Sequence, residues 1–136
     1  MRNFILVVIA ALFLVPRPLP AAEEKIFRAT VDSDGVQRVE VVGGSYFFNP
    51  NHIVVKAGVP VELKVRKESG WVPHNLVVKA PEAGIEIDEP LDSDKAKTIR
   101  FTPTKTGTYP MYCSKKLLFF ESHREKGMEG MIEVVP

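Results

Sequence analysis

Hydrophobic and polar residues alternate along several short segments of the chain. In residues 59–67 apolar side chains occupy every second position, at Val61, Leu63 and Val65, and charged side chains lie between them. A period of two places the apolar residues on one face of a strand, so this segment is predicted to be a half-buried β-strand. Further short apolar segments occur at residues 36–42, 45–48, 52–56, 76–78, 98–101 and 131–135.

Turn-forming residues separate these segments. Asp32–Gly35, Asn49–Asn51 and Ala57–Gly58 combine the Gly, Pro, Asn and Asp residues that are typical of turns. Short strands at this spacing predict an all-β fold, an antiparallel β-sandwich. The acidic segment Glu82–Asp94 is expected to form an irregular surface loop.

The N-terminus has a different pattern from the rest of the chain. It reads MRN, continues with a charge-free apolar run at residues 4–15, and ends in PRPLPAA. This pattern predicts a secretory signal peptide over residues 1–21, cleaved near Ala21 or Ala22, and therefore export to the periplasm. The run is shorter than the roughly 20 residues of a transmembrane helix, so an uncleaved membrane anchor is the less favoured alternative.

Length and charge limit what the remaining chain can be. Residues 22–136 are long enough for one domain and too short for two, and residues 22–44 are candidates for additional N-terminal strands. Removing Arg2 and Arg17 from the 18 basic residues leaves 16, against 17 acidic residues. No basic patch or acidic tail indicates nucleic-acid binding, and no stable membrane insertion is expected of this domain.

Cys113 is the only cysteine of the chain and cannot form an internal disulfide. In an exported protein such a cysteine forms an intermolecular disulfide, is a reactive group or binds a metal. His123 and Met128 follow it, and a thiolate, an imidazole and a thioether together suit copper. A second imidazole must come from upstream. We favour His74, at the mouth of a strand, and expect His52 to be a solvated surface residue.

The order His74, Cys113, His123, Met128 resembles that of the cupredoxins, the family of small blue copper proteins that includes plastocyanin and azurin. TGTYPMYCS resembles the strand that delivers the family's cysteine, and HREKGMEGMIEVV resembles the end of plastocyanin. FFNPNHIVVKAGVPVELKV and HNLVV are similar to earlier strands and to the upstream ligand with its following asparagine. The resemblance covers residues 45–136.

This resemblance implies both a fold and a function. The fold would be a Greek-key β-sandwich of about seven to eight strands. It would hold one mononuclear copper ion through His74, Cys113, His123 and Met128, with the methionine as the weak axial ligand. The protein would be a one-electron carrier and not an enzyme. Family order favours Met128 over its rivals Met111 and Met131, and Trp71 is expected to pack around the site.

The loop between the cysteine and the second histidine is longer than the family usually has. Nine residues, 114–122, lie between Cys113 and His123. Lengthening a loop costs only about 0.6 kcal/mol per doubling, so the extra residues can bulge outward and return. Good helix formers in residues 115–126, followed by Gly127, predict a short helix.

Within this loop, Leu117–Phe120 is an apolar run in a charged surrounding. The run either packs on the rim of the sandwich or leaves at least one side chain accessible, because four consecutive helical positions span most of the circumference. An accessible member beside a redox centre is a candidate docking contact for a redox partner, such as a cytochrome or another electron-transfer protein. We expect a monomer.

Two other functions remain compatible with the sequence. A copper-resistance or delivery protein would bind copper without shuttling electrons, and the enlarged loop keeps this alternative open. A cupredoxin enzyme with an open metal position would need Met128 or His123 to lie off the metal.

Overall fold

The computed structural model describes residues 22–136, which form ten β-strands. The predicted signal peptide over residues 1–21 and the alternative membrane anchor lie outside the described residues. The strands are β1 (Ile26–Arg28), β2 (Gln37–Gly44), β3 (Phe47–Asn49), β4 (His52–Lys56), β5 (Val61–Lys67), β6 (Asn75–Ala80), β7 (Ile85–Pro90), β8 (Lys97–Phe101), β9 (Gly107–Tyr112) and β10 (Glu129–Val135). One turn of 3-10 helix, Pro81–Ala83, joins β6 to β7.

The strands form two sheets that pack as a β-sandwich, so the predicted all-β class is confirmed. The larger sheet has the order β1-β4-β10-β9-β6-β7, and the smaller sheet has the order β3-β2-β5-β8. Both sheets are mixed rather than purely antiparallel, because β4 pairs in parallel with β1 and β10, and β2 pairs in parallel with β5. In the larger sheet, β9 lies between β10 and β6.

The alternation read from the sequence sets which face of each strand is buried. On β5, Val61, Leu63 and Val65 are at most 1% exposed, and they pack in one hydrophobic cluster with β2 residues such as Val39 and Val41. Burial of apolar side chains of this size stabilises the sandwich by about 1.5–3 kcal/mol each. The strand pattern with period two is therefore the main determinant of the core.

The acidic segment was predicted to be an irregular loop, and this prediction is wrong for its central part. β7 occupies residues 85–90 and pairs antiparallel with β6. Ile85 and Ile87 are buried while Glu86 and Asp88 point to solvent. This is an ordinary half-buried strand pattern in which acidic residues occupy the exposed positions. Among the described residues, no helix is long and apolar enough to cross a membrane.

Candidate metal centre

The sheet order brings the candidate ligands to one end of the sandwich. His74 immediately precedes β6, and Cys113 immediately follows β9. These two strands are antiparallel neighbours, so the start of one lies beside the end of the other. His123 lies in the loop between β9 and β10, and Met128 immediately precedes β10.

Three of the predicted ligands lie within contact distance of one another. The Cys113 Sγ is 3.9 Å from the His74 Nδ1 and 3.6 Å from the His123 Nδ1, and the two Nδ1 atoms are 3.1 Å apart. A metal about 2.0 Å from each nitrogen and about 2.3 Å from the sulfur would separate donors in a trigonal plane by about 3.5 and 3.7 Å. The spacing therefore fits one metal ion held by two imidazoles and a thiolate.

The environment of this group keeps both imidazoles neutral. His74, Cys113 and His123 are all buried. Burial lowers the pKa of His74 to about 4, with smaller contributions from His123 and the charge of Lys67. Burial also lowers the pKa of His123, assisted by the charge of Lys126. Since a metal binds the neutral imidazole, the two rings are in the protonation state that a metal requires.

Asn75 connects the two strands that carry His74 and Cys113. Its backbone N–H donates to the Cys113 Sγ at 3.5 Å, a contact that suits a negatively charged sulfur. Its side-chain amide donates to the Ser114 Oγ at 2.8 Å and to the Asp88 carboxylate at 3.1 Å, and its side-chain oxygen accepts from the Ser114 N–H at 2.8 Å. These bonds fix the cysteine-bearing end of β9 against β6.

The long loop is closed by a hydrogen bond at its base. The His123 N–H donates to the Lys115 carbonyl at 2.9 Å, which we call the loop neck. Residues 116–122 project beyond the loop neck. Because Lys115 is only two positions after Cys113, the loop neck returns His123 to the cysteine whatever the length of the projection.

The predicted short helix over residues 115–126 is wrong. Two separate turns form there, one closed by the Phe120 N–H donating to the Leu117 carbonyl at 3.0 Å. Leu118 has a φ of 49°, in the left-handed region that a helix excludes. The second turn begins at Ser122, whose N–H donates to the Glu125 carboxylate while its Oγ accepts from the Glu125 N–H. Helix propensity was overridden because a short helix is costly to nucleate.

Met128 is fully buried and linked to two other members of the predicted ligand set. Its N–H donates to the His123 carbonyl at 2.9 Å, and its carbonyl accepts from the Cys113 N–H at 3.0 Å. Its side chain lies close to Gly43 of the opposite sheet. Its role as axial ligand stays a prediction. The rival Met111 is also fully buried, on the same face of β9 as Cys113, whereas Met131 is partly exposed.

Two other sequence expectations are wrong. His52 is not solvated: only 12% of its side chain is exposed, because its ring lies between the carboxylates of Glu24 and Glu133. It is not a member of the His-Cys-His group. Trp71 does not pack around the site but is fully exposed in the loop that precedes His74.

The sequence analysis missed Tyr46. Its ring makes edge contacts with both imidazoles, with centroids 6.3 Å from His74 and 5.1 Å from His123. The Lys126 ammonium lies over the face of the same ring, 4.6 Å from its centroid. Tyr46 has a φ of 63°, which is uncommon for a bulky residue. An aromatic residue shortly after the Gly43-Gly44 pair was the available signal in the sequence.

Comparison with known proteins agrees with this architecture. Residues 4–128 match the family described as the cupredoxin-like domain. The metal-binding domain of the Cu(I)-exporting P-type ATPase of Streptococcus pneumoniae, solved with Cu(I), has a TM-score of 0.64 and 22% identity over 85% of this chain and 100% of that chain. Reduced auracyanin from the photosynthetic bacterium Roseiflexus castenholzii has a TM-score of 0.58 and 20% identity, over 79% and 99%.

A third similar structure is the periplasmic domain of subunit II of the cytochrome oxidase of Bradyrhizobium japonicum. It has a TM-score of 0.54 and 15% identity, over 72% of this chain and 83% of that chain. At these identities the similarity shows the fold. No curated protein sequence matches the chain.

The predicted cofactor, one copper ion, is confirmed by the family match and the donor group together. Two neutral imidazoles and a thiolate form a donor set that copper prefers. All three side chains are buried, so the chain would shield an ion bound between them from bulk water.

Proposed function

Because the chain belongs to the cupredoxin-like domain family, we propose that it is a type 1 (blue) copper protein that carries single electrons in the periplasm. The observation that carries this proposal is the buried group of His74, Cys113 and His123, with donor atoms 3.1–3.9 Å apart. Copper supplies a one-electron change between Cu(I) and Cu(II). The protein side chains supply the geometry that both oxidation states tolerate.

The proposed ligand roles follow from the chemistry of each side chain. Cys113 provides the thiolate, and His74 and His123 complete the plane. Met128 provides the weak axial thioether that tunes the reduction potential. No substrate binds and no proton needs to move in this function, so the protein would act as a carrier and not as an enzyme.

The backbone around the ligands supports a carrier, because it limits how far the ligands can move when an electron arrives. His123 is held through its N–H by Lys115 and through its carbonyl by Met128. The carbonyl of His74 accepts from the Leu91 N–H at 2.9 Å. Ligands fixed by such supporting hydrogen bonds change position little between oxidation states.

The periplasmic location rests on the predicted signal peptide over residues 1–21. It is supported by the similar domain of the Bradyrhizobium japonicum oxidase subunit, which is itself periplasmic. Redox partners would dock near Leu117–Phe120, where all four side chains are at least 52% exposed. The alternative in which this run is buried against the sandwich does not occur.

Absorption spectroscopy of the copper(II)-loaded protein tests the proposal. A thiolate bound in a blue copper site gives an intense band in the red part of the visible spectrum, and Cys113→Ser should abolish it. His74→Ala and His123→Ala should each disturb it, Met128→Leu should shift the reduction potential, and the control His52→Ala should change neither. A colourless wild-type protein with bound copper, or bleaching by the His52 variant alone, would contradict the ligand assignment.

A copper-delivery or resistance function is the second candidate. It is favoured by the similarity to the metal-binding domain of the Cu(I)-exporting ATPase, which was solved with Cu(I), and by the exposed loop of residues 116–122. Such a protein would bind Cu(I), give no reversible Cu(II) wave in voltammetry, and pass the ion to a chelator in preference to passing an electron to ferricyanide. Reversible voltammetry at constant copper content supports the carrier instead.

A further inference from the structure

Two loops beside the metal centre enclose an apolar groove of about 470 Å³, which we call the loop groove. One wall is formed by Trp71–Pro73. The other is formed by Lys115, at the loop neck, and by Lys116, Leu117, Phe120 and Glu121 of the projecting loop. Tyr46 and His123 also line it. The loop groove therefore opens onto the edge of an imidazole that belongs to the proposed copper site.

Exposed hydrophobic residues are concentrated at this end of the molecule. Of the ten large hydrophobic side chains that are exposed in residues 22–136, six lie in the two loops that form the loop groove. They are Trp71, Val72, Leu117, Leu118, Phe119 and Phe120. The remaining four are on or near the first three strands. A contiguous apolar patch of this kind marks an interaction site, and aromatic residues are enriched at such sites.

The charges that line the loop groove are mostly positive. Lys115, Lys116 and Lys126 line it together with Glu121, which gives a net charge of +2. Within residues 22–136, none of these three lysines forms an ion pair. With 16 basic and 17 acidic residues, residues 22–136 carry −1, so the part outside the loop groove carries −3. The loop groove is thus the positive end of a slightly negative protein.

Shape and charge together select the occupant. A second copy that presented the same face would bring a second charge of +2 against the first, which opposes a symmetric dimer. A lipid surface would contact the protruding loop tips and leave the concave space between them empty. A protein segment with a projecting apolar side chain and flanking carboxylates fits both the cavity and the lysines.

We propose that the loop groove binds a projecting apolar side chain, such as phenylalanine or leucine, on an acidic protein partner. The carboxylates of the partner face Lys115, Lys116 and Lys126, and its apolar side chain enters between Trp71 and Phe120. The physiological meaning of this contact rests on the carrier function proposed above, because it would bring the partner against the edge of His123.

The single tryptophan of the chain provides a direct test in the metal-free protein. Trp71 is fully exposed, so occupation of the loop groove should shift its fluorescence to shorter wavelength. The probe is the peptide acetyl-Glu-Glu-Phe-Leu-Glu-Glu-amide, titrated at low and high salt. We expect saturable binding that weakens with salt, since the flanking contacts are electrostatic.

Charge reversal supplies the matched comparison. The double variant Lys115→Glu, Lys116→Glu should weaken the peptide at least about tenfold, since two attractive contacts become repulsive. Lys105→Glu is the control, because this exposed lysine precedes β9 and lies at the opposite end of that strand from Cys113. It should leave the affinity unchanged. Far-ultraviolet circular dichroism checks that both variants fold.

Several outcomes would overturn the proposal. One is binding of the basic peptide acetyl-Lys-Lys-Phe-Leu-Lys-Lys-amide as tightly as the acidic one, and another is the absence of a fluorescence shift with the acidic peptide. Concentration-dependent dimerisation that buries Trp71, or binding of phosphatidylglycerol vesicles in place of the peptide, would also contradict it. Because the measurement uses metal-free protein, its result is independent of the carrier function. If the acidic peptide binds and the protein shows no blue copper spectrum, the proposed binding at the loop groove stands and the carrier function is rejected. If the peptide does not bind and the blue copper spectrum is present, the carrier function stands and the proposed binding is rejected.

Discussion

The pKa of His52 is shifted in the opposite direction to the pKa values of His74 and His123 in the same sandwich. Burial lowers the pKa of His74 to about 4 and also lowers that of His123, and nearby cations add to both effects. Burial lowers the pKa of His52 as well, but the hydrogen bonds that its ring donates to the Glu24 and Glu133 carboxylates outweigh this effect, and the net pKa is raised. Burial acts in the same direction on all three rings, so the presence of carboxylate partners at His52 and their absence, within residues 22–136, at His74 and His123 explain the opposite pKa shifts.

The His52 ring and its two carboxylate partners have a structural role. Its Nδ1 is 2.6 Å from the Glu24 carboxylate and its Nε2 is 2.7 Å from the Glu133 carboxylate. Glu24 precedes the three-residue edge strand β1, and Glu133 lies on β10. His52 therefore fastens the N-terminal segment to the larger sheet, whereas His74 and His123 remain neutral and available to a metal.

The largest expected difference between the two regions is the response to copper. Binding to the native state alone adds about 4.1 kcal/mol to the free energy of unfolding when copper is a thousandfold above its Kd. Copper should therefore raise the melting temperature of the wild-type protein and of His52→Ala, and should fail to raise that of His74→Ala. Calorimetry with and without copper measures this. If copper stabilised His74→Ala as much as it stabilises the wild type, the metal-binding role would not distinguish the His74–His123 pair from His52.

In the metal-free protein, substitution of His52 should lower stability. His52→Ala leaves two carboxylates without their shared partner and should lower the free energy of unfolding by about 1–2 kcal/mol. Hydrogen bonds to charged groups contribute about 1.5–3 kcal/mol, and solvent screening of the partly exposed Glu24 and Glu133 reduces this contribution. Urea denaturation near pH 6 measures the loss. His52→Gln, which can still donate one hydrogen bond, should retain part of the stability. No change in either variant would show that the fastening contributes nothing.

The two regions should also make stability depend on pH in opposite directions. The raised pKa of His52 means that its contribution is fully present below the unfolded pKa of about 6.5 and is lost as the pH rises through the higher folded value. The lowered pKa of His74 means that its contribution is present above about 6.5 and is lost as the pH falls towards about 4.

The pH measurement uses one variant for each region. Relative to the wild type, metal-free His52→Gln should lose less stability as the pH rises from about 6 to about 9, and His74→Gln should lose less as it falls from about 7 to about 5. Parallel curves for the wild type and His74→Gln would contradict the assignment of a suppressed pKa to this ring.

The smallest expected effect on stability is at the tip of the projecting loop. Phe119 is 85% exposed, so Phe119→Ser should change the free energy of unfolding by less than about 0.5 kcal/mol and leave the copper spectrum unaltered. It should nevertheless slow electron exchange with the physiological partner, which stopped-flow absorption of the copper band measures. Phe47→Ser, on β3 and outside the projecting loop, is the comparison. Equal slowing in both variants would argue against docking at the loop.

The sequence predicted the strands well wherever apolar residues alternated with polar ones, as on β5. It failed on β7 because the exposed positions are acidic, and the acidic composition obscured the alternating Ile85 and Ile87. The resemblance between the order His74, Cys113, His123 and the ligand order of cupredoxins was sufficient to predict that these three side chains meet. The shape of residues 115–126 was not predictable, since it depends on the bond between His123 and Lys115, which exists only after folding.

The environment of His52 was equally inaccessible from the sequence. Its partners are 28 and 81 positions away along the chain. They meet it only because β1, β4 and β10 are adjacent in the larger sheet. Tyr46 presents the same problem, because its contacts with His74 and His123 join the two sheets across the end of the sandwich.

Because of the loop neck, the projecting segment can vary independently of the metal ligands. The hydrogen bond between His123 and Lys115 seals residues 116–122 off from the ligands, so their length and composition can be altered with little effect on the position of the imidazole. Substitutions or insertions in this segment, whether natural or engineered, could then change the surface that contacts other proteins and leave the geometry of the metal site unchanged. With the proposed functions, partner recognition and redox chemistry would depend on separate segments of one chain.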